Sequence, residues 1–213
     1  RGVIWKSCLH SEASRSLLDH SKNAAGTRMP STERIRALAG KLPIIRDWFD
    51  DTVAAYQRQA IPLAHLDLPH LSAHFPPKLL RRAKAILFSE AFPFPPFAEI
   101  GLSELSHSED TATYEAMTYR DTIFLREGFQ SEVLYFHELV HVIQWSRLGG
   151  NNFLLAYITG LLESGYSGCP LEEMAFTLQE RFRQNDLPRN VTEQIHRLTD
   201  AAWHKLVRAY SLA

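Results

Sequence analysis

Cysteine is scarce in this chain: Cys8 and Cys169 are the only two in 213 residues. Two thiols so far apart allow one pairing at most, which excludes a disulfide framework, and both read as free thiols. Long hydrophobic runs are missing too. No stretch approaches the ~18 apolar residues that a bilayer span requires, and the opening residues 1–8 lack the apolar core of a signal peptide. The expectation is a soluble, cytoplasmic protein, unless processing has removed a leader. Charge of one sign is also missing. A formal net charge of -1 and a pI near 6.9 leave no broad electrostatic footprint for nucleic acid or an anionic membrane surface, so neither partner is expected.

What is present is an ordinary globular composition, 45% hydrophobic and 22% charged, enough to bury a real core. The first methionine is Met29, and the residues before it are polar with little periodicity. A tail, a propeptide and translated vector sequence fit residues 1–30 equally. Residues 31–213 read as one domain, made of a helical N-terminal part (31–118), a central core (119–184) and a C-terminal helix (190–210).

From Ser31 the apolar residues Ile35, Leu38 and Ala39 recur at helical spacing. After Pro43 a longer run follows with Ile44, Ile45, Trp48, Phe49, Val53 and Tyr56. Residues 61–77, rich in proline and histidine, read as a surface loop. The pattern over 77–88 predicts another helix, stopped by the prolines of Pro93-Phe94-Pro95-Pro96-Phe97. Between 98 and 127 the period changes, and residues 119–125, β-branched and aromatic, are the best strand candidate. Ser131 is an N-cap for a helix over 132–148 that Gly149-Gly150 terminates. Three more helices are expected over 152–163, 170–184 and 191–210, with Pro170 as a first helical residue and Asn190 as an N-cap. The predicted fold class is α+β, predominantly α, with a small sheet ahead of the 132–148 helix.

That helix carries His137-Glu138-Leu139-Val140-His141. Ten histidines and 15 glutamates in this chain give an expectation of about 0.03 chance matches to H-E-x-x-H. On a helix the two imidazoles fall one turn apart on one face, so both can reach one Zn²⁺ while Glu138 projects towards a water on the metal. His137, His141, Gln144 and Leu148 share a stripe, and Phe136, Leu139, Val140 and Ile143 fill much of the rest of the wheel. A helix apolar on so many sides is a buried one, and buried imidazoles need partners, which a metal supplies.

A catalytic zinc takes three protein ligands, so a third belongs downstream, and Glu163, Glu172, Glu173 and Glu180 are the candidates. Leu171, Ala175, Leu178 and Phe182 mark the core face of the 170–184 helix. Glu172 falls about 80° from the centre of that face while Glu173 points nearly opposite, so Glu172 is the expected ligand. Acidic residues also favour the first turn of any helix, which accounts for both carboxylates without a metal.

The pattern His137-Glu138-Leu139-Val140-His141 followed by Pro170-Leu171-Glu172-Glu173-Met174-Ala175 resembles the gluzincin group of zinc metallopeptidases. In that group the third ligand is a glutamate written E-x-x-A, which Glu172 and Ala175 match. The run His141-Val142-Ile143-Gln144-Trp145, with Tyr157, Tyr166 and Pro170-Leu171-Glu172, is similar to small bacterial proteins of this kind. The resemblance spans residues 119–179. It implies a zincin-like domain, one Zn²⁺ on His137, His141 and Glu172, Glu138 as general base, and a peptide or protein substrate. Many members carry an acidic residue soon after the third ligand to orient a histidine, and here Met174 and Phe176 stand nearby instead.

Tyr166 is the first choice for a donor to the oxyanion, with Tyr157 the alternative, and residues 120–125 could hold an extended peptide by backbone pairing. His65, His70 and His74 form a second histidine cluster, His196 and His204 lie on one helix face, and Cys8 could cap the zinc as a thiolate. Two competing readings are a zinc-binding protein with weak or no catalysis that acts in partner binding, and an apo helical domain in which the motif is coincidence.

Overall fold

The computed structural model describes residues 31–89, 91–103 and 114–211. Helix α1 (Ser31–Tyr56) runs unbroken through Pro43. It turns Leu38, Leu42, Ile45 and Phe49 to the core and leaves Pro43 exposed.

Residues 61–77 are not the surface loop their prolines suggest. They form a short strand β1 (Ile61–Pro62), a 3₁₀ turn (Leu63–His65) and a helical turn α2 (Pro69–Ser72). Leu63, Leu68, Leu71 and Phe75 are buried there, and that burial, not local propensity, fixes the path. The helix expected over 77–88 is likewise corrected: α3 (Pro77–Arg82) ends at Ala83 and the chain becomes strand β2 (Lys84–Phe88). A short apolar run reads equally as helix or strand, and pairing decides between them.

The strand expected over 119–125 is two arms of a hairpin, β3 (Ala116–Tyr119) and β4 (Thr122–Arg126), turning at Arg120 and Asp121. Arg120 takes a left-handed φ of 61°, and its guanidinium pairs with Asp50 at 3.1 Å. The sheet order is β1-β2-β4-β3, with β2 and β4 parallel and both outer pairings antiparallel. The fold is therefore α+β, mostly helical with a small mixed sheet.

Four helices complete the molecule: α4 (Glu132–Leu148), α5 (Gly150–Gly168), α6 (Pro170–Arg183) and α7 (Val191–Tyr210). The Ser131 hydroxyl accepts from the Leu134 amide at 3.2 Å, and Gly149 ends α4 with φ 74°, as its sequence signals require. Helix α5 is longer than expected at both ends and breaks at Gly165, whose φ of 70° and ψ of -179° are open to glycine. Asn190 occupies the cap position of α7, but its amide donates to the Glu193 carboxylate at 2.9 Å instead of capping the backbone.

Helix α4 is buried without interruption from Tyr135 to Trp145 and packs on α5, α6, α7, β3 and β4. Anything its polar residues bind is consequently enclosed by the rest of the fold. Among the described residues, no helix is long and apolar enough to cross a membrane.

Candidate metal centre

Because α6 packs against α4, the first turn of α6 brings Glu172 over the two histidines. His137 Nε2 and His141 Nε2 lie 3.2 Å apart, and Glu172 Oε2 lies 3.3 Å from the first and 3.5 Å from the second. A tetrahedral ion with bonds of about 2.0–2.1 Å needs donors about 3.3–3.4 Å apart, so this triangle has the dimensions of three corners of such a site. Among the described residues it is the one group of three or more His, Cys, Asp or Glu donors clustered tightly enough to hold an ion.

The donors are also out of water. His137 is 3% exposed, His141 5% and Glu172 1%, so each polar atom must find a partner inside the protein. Glu172 Oε1 has one, the Tyr157 hydroxyl at 2.5 Å, whereas Oε2 is buried without a hydrogen bond and faces the two imidazoles. An unbonded carboxylate oxygen between two ring nitrogens is what a divalent cation would satisfy, and an N, N, O donor set suits zinc.

The electrostatics of the cluster follow from the same burial and proximity. Burial by itself pulls the His141 imidazole down, but attraction to the Glu172 carboxylate beside it, helped by Glu138 and the hydrogen bond with Gln144, raises it to about 9. Burial pushes Glu172 up, and the two imidazoles more than reverse this, holding the carboxyl well below the ordinary range.

Glu138 is 5% exposed and outside the triangle. Its Oε2 accepts from Thr118 Oγ1 at 2.7 Å, which ties the carboxylate to strand β3. Behind His141, Nδ1 meets Gln144 Oε1 at 2.8 Å, and Gln144 Nε2 donates to the Leu171 carbonyl at 3.0 Å. His137 Nδ1 has no hydrogen-bond partner, and its ring packs on Phe176 with centroids 4.6 Å apart. Met174, the other residue standing where an orienting acid is expected, puts its sulfur 3.5 Å from Gln144 Nε2.

Both tyrosines singled out in the sequence reach this cluster. Tyr157 donates to Glu172 Oε1, and Tyr166, half-buried, feels the charges of Glu172 and Glu138. Burial first, then the Glu172 carboxylate, pushes both phenols well up. The other acidic candidates are elsewhere: Glu163, Glu173 and Glu180 are exposed, and Glu180 pairs with Arg183. Cys169 is fully buried, with its thiol pushed by burial up to about 12, and Cys8 lies outside the described residues.

Strand β4 cannot receive a peptide along residues 120–125. It is hydrogen-bonded to β2 on one side and β3 on the other, so the edge near the site is β3. The His70 ring stacks on Phe182 at 4.2 Å, and His65, His70 and His74 do not form a metal-sized group. His196 and His204 line a surface groove on α7 with Arg147 and Asp200.

Two functional neighbours were not foreseen from sequence. Gln144 carried a signal, since an amide on the histidine stripe of a buried helix must bond at both ends. Thr118 carried none, because its partner is 20 residues away and on another element. Compared with known proteins, the chain matches no family model, no curated protein and no solved structure.

Proposed function

We propose that this chain is a zinc-dependent peptide hydrolase with a zincin-like fold, as its resemblance to the gluzincin group implies. The observation carrying that reading is the buried triangle of His137 Nε2, His141 Nε2 and Glu172 Oε2, with sides of 3.2 to 3.5 Å. Zinc bound there supplies the Lewis acidity that makes a substrate carbonyl more electrophilic and water more acidic.

The chain's own groups divide the remaining work. Glu138 takes one proton from the attacking water and passes it to the amide nitrogen; a C–O bond forms, the C–N bond breaks, and a carboxylic acid and an amine leave. Thr118 holds the Glu138 carboxylate in place. Tyr166, within electrostatic reach of both Glu172 and Glu138, is the donor for the developing oxyanion. The edge of β3 that no described strand pairs with, on the strand that carries Thr118, is where an extended peptide would pair.

One observation favours the second reading, a zinc protein with little catalysis whose motif helix serves structure or partner binding. The three donors and Glu138 are each 5% exposed or less, which is little opening for a substrate. Two measurements separate these readings. Metal analysis of the purified protein should return one zinc per chain. A Glu138→Gln variant should keep that zinc and lose about 10²- to 10⁴-fold in cleavage of a mixed peptide library. No zinc in the wild-type chain defeats both readings; zinc without any cleavage by wild type leaves the second.

A further inference from the structure

Gln144 is fully buried in the middle of α4, and both ends of its amide are used. Nε2 is 3.0 Å from the Leu171 carbonyl and Oε1 is 2.8 Å from His141 Nδ1. The chemistry of the partners fixes which end is which. A backbone carbonyl can only accept, so the end facing Leu171 must be the NH₂ group, and the end facing His141 must be the carbonyl oxygen. That oxygen can only accept in turn, so His141 Nδ1 must carry a proton. In the neutral ring the lone pair is then on Nε2, the atom in the donor triangle.

We infer that Gln144 is a positioning residue, a buried clasp that fixes His141 in its Nδ1–H tautomer and ties α4 to the residue before Glu172 on α6. The inference rests on the metal reading above and goes beyond it. Leu171 immediately precedes Glu172, so one side chain sets the orientation of one ligand and the distance to another. The neighbouring histidine shows the contrast. His137 Nδ1 has no hydrogen-bond partner and its ring is held by contact with Phe176, so the two imidazoles are positioned by different means. Gln144 also occupies, from the motif helix itself, the role that an acidic residue on the Glu172 helix would otherwise take, and it does so without adding charge to the cluster.

The test compares zinc affinity and imidazole tautomer in wild type, Gln144→Met and Gln144→Glu, with all three shown to be folded by their thermal transitions. Methionine keeps the volume and removes both hydrogen bonds; glutamate keeps an acceptor for His141. Zinc binding, read by competition with a chromogenic chelator, should weaken about 10- to 100-fold in Gln144→Met and recover most of that loss in Gln144→Glu. Equal zinc affinity in wild type and Gln144→Met overturns the inference, as does a glutamate variant no better than methionine. Should Gln144→Met fail to fold, wild type alone decides. Long-range ¹H–¹⁵N spectra of the zinc-loaded protein should show a slowly exchanging proton on His141 Nδ1, and its absence overturns the assignment. A wild-type chain that takes up no zinc defeats the metal reading itself, a different result from zinc uptake indifferent to Gln144.

Discussion

Glu138 and Glu172 are both buried carboxylates near the histidine pair, and a hydroxyl orients each of them. Tyr157 occupies Oε1 of Glu172 and leaves Oε2 facing the two ring nitrogens. Thr118 occupies Oε2 of Glu138 and holds that carboxylate against β3, outside the triangle. A hydrogen bond to a charged group contributes about 1.5–3 kcal/mol, enough to choose between orientations of a side chain that could otherwise swing. Thr118→Val removes the hydroxyl at nearly constant volume. We expect kcat for peptide cleavage to fall about tenfold or more with KM and zinc content unchanged, and Thr118→Ser to restore it. A variant that loses zinc, or one that serine fails to rescue, would show Thr118 to be a packing residue only.

At the scale of elements, the helices that build the site were the legible part. Serine before α4, glycine after it and proline opening α6 are local signals with local causes, and the motif needed only helical spacing. The sheet was harder to read. Strand β2 exists because Ala85 and Ile86 pair with Ile123 and Phe124, residues far along the chain, and nothing within 77–88 announces that pairing. For the same reason the choice of Glu172 could be argued from its face of α6, whereas its hydrogen bond to Tyr157 on α5 could not.

The joint between α4 and α7 gives a pH prediction. Arg147 on α4 and Asp200 on α7 form a two-point ion pair at 2.5 and 2.7 Å. The hydrogen bond from Arg147 holds the Asp200 carboxyl below its usual value. A depressed carboxyl contributes stability that is present above its unfolded pKa, near 3.8, and lost as pH falls through the lower folded value. Asp200→Asn should therefore lower Tm slightly at pH 7, by about 1–2 °C, with the gap closing as pH falls below about 4. Molar salt should shrink the gap at neutral pH, because both side chains are partly exposed and screened. A gap insensitive to pH and salt would assign the effect to packing of α7.

For the molecule as a whole, the buried cluster is an energetic cost that the fold carries. Two imidazoles and two carboxylates lie inside a core formed by α4, α5, α6 and the sheet, and Glu172 Oε2 is left without a hydrogen bond there. Burying such groups is unfavourable unless each is paired, and the attraction between the imidazoles and Glu172 compensates only in part. A ligand that binds the folded state alone stabilises it by mass action, about 4 kcal/mol at a free concentration a thousand times its Kd. For a chain of this length that corresponds to a rise in Tm of about 10 °C. Removing metal with a chelator should reverse the rise, zinc should restore it, and magnesium, which prefers six oxygen donors, should not. His141→Ala should abolish the response to zinc, since two donors remain where three are needed. A melting temperature indifferent to chelator and to zinc would mean that the cluster is an internal ion pair, and the hydrolase reading would fall with it.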